Sequence, residues 1–76
     1  MGKLAESHRN RAARARAGFA RDLILERYGH GFTQAQLATR AGTDQRRISL
    51  YETGRALPGF RLLARLDAAL APPPTT

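Results

Sequence analysis

The feature that most constrains the fold of this chain is a pair of helix-start signals separated by one glycine. Thr33 is followed three residues later by Gln36, which is the arrangement of a capping box at the first turn of a helix. Gly42 allows a sharp turn, and Asp44 is a good N-cap for a second helix. We therefore predict two short helices joined at a tight corner, over about 34–40 and about 45–52.

Small and apolar residues at this corner are typical of a helix-turn-helix. Ala38 and Ala41 let the two helices approach each other closely. Ile48 and Tyr51 lie three residues apart and define the buried side of the second helix. An ordinary helical hairpin inside a bundle remains the alternative on spacing alone.

The opposite side of the second helix carries side chains that suit DNA, and it carries no acid. Gln and Arg in the first turn of a helix can bond the edges of adenine and guanine in the major groove. Glu52 leans toward the core instead. The outward face and its flanks comprise Gln45, Arg46, Arg47, Ser49, Leu50 and Thr53.

Helices are also predicted on both sides of the corner. Apolar residues at helical spacing from Phe19 onward predict a first helix over about 15–28, with an extension back to about Ser7 as the alternative. A last helix over about 60–70 ends before three prolines. Since no strand pattern occurs, the predicted fold is all-α, a compact four-helix bundle preceded by a basic N-terminal arm or a helix extension.

The predicted domain organisation is one helix-turn-helix domain over 15–71, between a basic arm over 1–14 and a proline-rich tail over 72–76. In the last helix we expect one apolar face to meet the core, formed by Phe60, Leu63 and Leu70. A second apolar stripe is then left over, formed by Leu62, Leu66 and Ala69. We expect that stripe to join two copies in a homodimer, because burying it stabilises association.

Charge narrows the class of partner. Thirteen Lys+Arg against six Asp+Glu give a net charge of +7, which favours a polyanion, with nucleic acid ahead of an anionic membrane surface. Part of the excess lies in the N-terminal stretch 3–16, where arginines are expected to follow the DNA backbone. These arginines are Arg9, Arg11, Arg14 and Arg16.

Other classes of protein are disfavoured by what the sequence lacks. It contains no cysteine, and its two histidines lie far apart, so we expect neither a metal site nor a cofactor. No apolar run approaches the length of a membrane span, and the N-terminus has no apolar core of a signal peptide. We expect a cytoplasmic protein, associated with the nucleoid if it binds DNA.

The corner also resembles a known family. The segment Phe32-Thr-Gln-Ala-Gln-Leu-Ala-Thr-Arg-Ala-Gly42, followed by Ile48-Ser-Leu-Tyr-Glu-Thr-Gly54, is similar to the phage repressor/Cro-type (XRE-family) helix-turn-helix proteins. The resemblance extends over about 19–70. It implies a DNA-binding bundle whose second corner helix, the recognition helix, enters the major groove.

The resemblance also implies a role for each outward residue. It implies base reading by Gln34, Gln45, Arg46 and Leu50. It implies phosphate contacts by Thr33, Arg47, Ser49, Thr53, Gly54 and Arg55, with backbone N–H groups taking part in the loop after the recognition helix. It pairs Arg27, late in the first helix, with Glu52 in a structural ion pair.

The chain departs from that family in five places, one of which is Thr53 in place of a common asparagine. Asp44 stands where Ser or Thr is usual and brings a negative charge toward phosphate. Thr43, the alternative N-cap, replaces an aliphatic residue, and Asp67 occupies a helical face where a small apolar residue is expected. The family's fifth helix, which often helps form the dimer, is replaced by Pro72-Pro73-Pro74.

The expected function is a sequence-specific regulator of transcription, a repressor that binds a pseudo-palindromic operator as a homodimer. The alternative is an antitoxin that binds a protein toxin and also represses its own operon. A controller protein of a restriction–modification system, or a phage regulator, fits the same sequence. An enzyme is disfavoured because the six acids show no catalytic pairing. RNA binding is disfavoured because the few aromatic residues are needed in the core.

Overall fold

Four α-helices and no strand make up the part of the chain described by the computed structural model, which covers the backbone of residues 3–72 and the side chains of residues 6–72. The helices are α1 (Lys3–Gly29), α2 (Gln34–Ala41), α3 (Gln45–Glu52) and α4 (Phe60–Ala69). The predicted all-α fold is confirmed. Pro72 follows α4, and the rest of the predicted proline-rich tail lies outside the described residues.

The two helix-start signals form as predicted. The Gln36 backbone N–H donates to Thr33 Oγ1 at 3.0 Å, and the Thr33 N–H donates to Gln36 Oε1 at 2.8 Å, which completes the capping box. Asp44 Oδ1 accepts from the Arg47 N–H at 2.9 Å, so Asp44 is the N-cap of α3. Both corner helices therefore begin where short-range hydrogen bonding predicts.

Gly42 makes the corner between α2 and α3. Its φ of 69° lies in the left-handed region, which a side chain would disfavour. The N–H groups of Gly42 and Thr43 donate back to Thr39 O at 3.2 Å and Ala38 O at 2.9 Å. This is a Schellman ending, which satisfies the last carbonyls of α2 and turns the chain directly into α3.

Thr43, next to that corner, has an unsatisfied polar group. Its hydroxyl oxygen is buried and finds no hydrogen-bond partner among the described residues. Thr43→Val, which removes the hydroxyl at nearly constant shape, is expected to raise the free energy of unfolding by about 1 kcal/mol. Urea denaturation tests this, with Thr39→Val as the control at an exposed position. A stability loss in Thr43→Val would show that the hydroxyl bonds a partner in solution.

The core lies where α2 meets both α3 and α4, while α1 packs on α3. Leu37, Ile48 and Leu66 are its largest fully buried side chains, one from each of α2, α3 and α4. From α1, Leu23 joins the same cluster, and Phe19 packs against it. This arrangement holds the second corner helix with Ile48 inward and its opposite side toward solvent.

α1 adopts the longer of the two predicted forms, the helix that extends toward the N-terminus. It begins at Lys3 rather than near residue 15, so the described part of the predicted arm is helical and continuous with the domain. Every residue from 6 to 15 is exposed, and the helix contributes to a longest dimension of 54 Å. Over the described residues, no helix combines the length and the apolar character needed to cross a membrane.

The predicted orientation of α4 is wrong for Leu66 and Phe60, although Leu70 packs against the core as predicted. Leu66, expected on a free stripe, is 1% exposed at the centre of the core, and Phe60, expected inside, is 80% exposed. Leu62 and Ala69 pack against the same core from its edge. Packing on α2 turns α4 so that the stripe predicted for the dimer fills the core of a single chain. The stripe formed by Leu62, Leu66 and Ala69 is therefore not a free dimer surface.

Candidate nucleic-acid interface

α3 presents its polar side chains to solvent in the first turn. Gln45, Arg46 and Arg47 are exposed, whereas Ile48 and Tyr51 are buried. Ser49 and Leu50 are half-buried, and Leu50 lies outside the core cluster. The side of α3 that the sequence assigned to DNA is thus accessible from solvent.

A buried ion pair anchors the end of α3 to α1. Arg27 donates through Nε to Glu52 Oε2 at 2.6 Å and through Nη2 to Glu52 Oε1 at 2.8 Å, a two-pronged contact. Its Nη1 donates to Phe32 O at 2.9 Å, so the same guanidinium also holds the turn that leads into α2. The hydrogen bond to Glu52 raises the pKa of Arg27 above its ordinary value, although burial acts in the opposite direction. Arg27 therefore keeps its charge across the physiological pH range.

Two glutamines extend this pair to the exposed face. Gln34 Nε2 donates to Glu52 Oε1 at 3.1 Å, and Gln45 Nε2 donates to Gln34 Oε1 at 3.4 Å. We refer to Arg27, Glu52, Gln34 and Gln45 as the glutamine relay. Gln34 is bonded at both ends of its amide, whereas the Gln45 carbonyl and one of its N–H groups have no partner among the described residues.

Sequence reasoning did not find the relay, although it named all four residues. The available signal was a glutamine at the first position of each corner helix. That pattern predicts a contact only once the corner angle is known, because the two residues are eleven positions apart.

The negative charge of Asp44 is partly compensated within α3. Arg47 Nη1 lies 3.6 Å from Asp44 Oδ2, one turn along the helix, with both side chains largely exposed. Exposed pairs of this kind contribute at most about 1 kcal/mol, so Arg47 can leave Asp44 at small cost when a phosphate approaches. The charge of Asp44 is compensated only while Arg47 stays beside it.

The loop after α3 corrects one predicted mode of phosphate binding. The N–H groups of Thr53, Gly54 and Arg55 donate to the carbonyls of α3 at 3.0–3.2 Å, and Gly54 has a φ of 72°. These bonds form the Schellman ending of the helix, so the three N–H groups are not free for phosphate. The Thr53 hydroxyl also donates to Ser49 O at 2.8 Å. The Arg55 side chain is exposed and is the group in this loop that can reach a phosphate.

The predicted basic arm is divided between two faces of α1. Arg16 is half-buried, and its Nε donates to Gly54 O at 3.2 Å, which ties α1 to the loop after α3. Arg9 lies two turns earlier on the same side of the helix. Arg11 and Arg14 point away from that side, because each residue advances about 100° around the axis. The four arginines therefore do not form one surface.

Comparison with known proteins identifies the fold family. A family model described as a helix-turn-helix domain matches residues 2–76. The chain belongs to this family. Membership indicates DNA binding with a regulatory role, and such domains are typically not enzymes. No significant match was found among curated proteins or among solved structures.

Proposed function

We propose that this helix-turn-helix protein is a sequence-specific transcription regulator of the repressor/Cro (XRE) type. It binds a pseudo-palindromic operator in double-stranded DNA as a homodimer and represses by occupying that site. The observation that carries the proposal is the first turn of α3, where Gln45 and Arg46 are exposed and the relay holds the Gln45 amide in place. Pre-oriented polar groups on a helix that fits the major groove are what base reading requires.

The proposed base contacts follow from side-chain chemistry. Arg46 bonds guanine O6 and N7 together, while Gln45 offers a donor and an acceptor to adenine. Gln34 supports Gln45 and reaches the neighbouring base or phosphate. Leu50, one turn after Arg46 and outside the core cluster, contacts a thymine methyl group.

The proposed phosphate contacts surround those bases. Thr33, Arg47 and Ser49 lie at the starts of α2 and α3 or on the outward side of α3, and each offers a hydroxyl or guanidinium donor. On the far side of α3, the basic surface is extended by Arg55 and by the two arginines on the same side of α1, Arg9 and Arg16. Gly54 shapes this edge through its backbone conformation.

Arg46→Ala tests base reading. The variant is expected to bind its preferred sequence more weakly by about 1–3 kcal/mol and to lose preference at one position in each half-site. Both quantities come from selecting bound duplexes out of a random library and then measuring affinities on the selected sequence and on random DNA. Arg61→Ala, an equal charge change on α4, is the matched control. Equal losses on both kinds of DNA would make Arg46 a phosphate contact.

Arg9→Ala tests the helical arm. Each phosphate contact contributes about 0.9 to the slope of log affinity against log salt, since binding releases a condensed counterion. The slope of the variant is therefore expected to be shallower than that of the wild type by about that amount. Fluorescence anisotropy over a series of salt concentrations measures it, with Arg61→Ala again as the control. An unchanged slope would place Arg9 outside the DNA interface.

An antitoxin is the second candidate function. A groove of about 310 Å³ between α1 and α4 has an apolar floor that includes Phe19, Leu63 and Leu70. In an antitoxin, this groove would receive an apolar side chain of the toxin. A small toxin gene beside this one, and binding of its product, would distinguish an antitoxin from a simple repressor.

A further inference from the structure

One face of α1 is largely exposed in the single chain. Arg11, Ala15, Gly18, Asp22 and Leu25 lie within a sector of about 80° around the helix axis. Four of the five are exposed, Leu25 to 62%, and Gly18 is half-buried. The opposite side of the helix carries Ala20, Leu23 and Arg27, all of which are buried. We call the first set, together with the adjacent Arg14 and Glu26, the outer face of α1.

Charge is ordered along the outer face. Arg11 and Arg14 form its N-terminal end, and Asp22 and Glu26 form its C-terminal end. Asp22 and Glu26 are exposed and bond no basic group among the described side chains. Both ends lie at similar distances from Gly18, since Arg14 and Asp22 are each about 6 Å away along the axis, at 1.5 Å per residue. A second copy of the same face, turned end for end, is therefore complementary to it.

The centre of the outer face permits close approach. A Cβ atom added at Gly18 would meet nothing within 4 Å, so the space there is open. Ala15 is the other small residue at this level of the helix. Two helices that cross at Gly18 can pack at the short end of the usual 8–10 Å interaxial range. Their outer Leu25 side chains then contact the partner helix.

We infer that the outer face of α1 is the surface through which two copies of this chain pair, with the two α1 helices antiparallel and crossing at Gly18. Arg14 and Arg11 of each copy then face Asp22 and Glu26 of the other. The inference rests on the proposed function in that it names the surface of the proposed homodimer. It assigns Arg11 and Arg14 to the partner chain and leaves Arg9 and Arg16 for the DNA side.

The position of α3 agrees with this pairing. The groove that α3 and its loop form with α1 is lined by Ala17, Arg21 and Ile24, which lie to one side of the outer face, and by Leu25 at the edge of that face. A two-fold axis perpendicular to the plane of the paired α1 helices keeps that side of both copies facing the same direction. Both recognition helices therefore face the same side of the dimer, as a pseudo-palindromic site requires.

The test is a charge exchange followed by sedimentation equilibrium without DNA. The wild type is expected to be dimeric at high micromolar concentration. Arg11→Glu/Arg14→Glu and Asp22→Arg/Glu26→Arg are each expected to be monomeric, because like charges then face each other across the two-fold axis. An equimolar mixture of the two variants is expected to form a heterodimer, because opposite charges again face each other. Both variants keep a net positive charge, so a general attraction does not explain their pairing.

The controls separate this surface from other effects. Arg61→Glu/Arg65→Glu changes the charge by the same amount as Arg11→Glu/Arg14→Glu, but at two exposed positions on α4. This control variant should stay dimeric. Gly18→Leu fills the crossing point without touching its own chain and should be monomeric while remaining helical by circular dichroism. A monomeric wild type, a dimeric charge variant, or a mixture that fails to associate would each overturn the inference. Arg46→Ala should remain dimeric, so loss of the proposed DNA contact and loss of the dimer are distinguishable.

Discussion

Replacing Glu52 with alanine is expected to lower the free energy of unfolding by about 3–5 kcal/mol. The change leaves the Arg27 guanidinium inside the protein, 8% exposed, without the carboxylate that accepts two of its hydrogen bonds. It also removes the acceptor that holds Gln34. Urea denaturation followed by circular dichroism measures the loss, which is large for a domain of 76 residues.

A double-mutant cycle measures the interaction energy between Arg27 and Glu52 apart from their contacts with other residues. Arg27→Met/Glu52→Leu, measured together with the single variants Arg27→Met and Glu52→Leu, removes both charges at similar volume. The double variant is expected to be more stable than either single variant, because no charge is then left buried alone. The exposed Asp44–Arg47 pair is the matched control, and its coupling energy should stay below about 1 kcal/mol. A coupling energy near zero for Arg27 and Glu52 would show that the two side chains are separately solvated.

The ion pair also influences the DNA-binding face through the relay. Arg27→Met/Glu52→Leu removes the acceptor of Gln34 while keeping the fold, so the amide of Gln45 loses its fixed orientation. Specific DNA affinity should then fall more than affinity for random DNA. The structural role of Arg27 and Glu52 and the chemistry of the first turn of α3 are thus connected by hydrogen bonds.

Leu66→Ala is the second change with a large expected effect, a loss of about 2–5 kcal/mol in the free energy of unfolding. Leu66 is 1% exposed between the buried residues of α2 and α3, so truncation leaves a cavity. Phe60→Ala in the same helix is the control. Because Phe60 is 80% exposed, its loss should change stability by no more than about 0.5 kcal/mol.

The comparison of these two variants decides the orientation of α4. If Phe60→Ala lowered the free energy of unfolding more than Leu66→Ala, the orientation that the sequence predicted would be the correct one. The oligomeric state of Leu66→Ala below its unfolding transition is also informative. It should match that of the wild type, because Leu66 lies inside one chain rather than between two.

The boundaries of the two corner helices, α2 and α3, were the part of the fold that local sequence reasoning predicted best. The capping box at Thr33, the cap at Asp44 and the turn at Gly42 each depend on hydrogen bonds between residues at most five positions apart. These hydrogen bonds form within one or two turns of helix, so they do not depend on contacts with the rest of the chain. The inward side of α3 was predictable for a similar reason, because Ile48 and Tyr51 lie three residues apart and therefore share one side of the helix.

The rotation of α4, the relay and the division of the basic arm were decided by tertiary structure. α4 has apolar residues on neighbouring stripes, so periodicity alone allows two orientations, and contact with α2 selects the one that buries Leu66. The relay needs the corner angle that brings Gln34 and Gln45 together. The split of Arg9 and Arg16 from Arg11 and Arg14 needs the helix to continue back to Lys3, where propensity alone left an arm or a helix open. Short-range hydrogen bonding is encoded in adjacent residues, whereas the direction in which a helix face points depends on packing between elements distant in the chain.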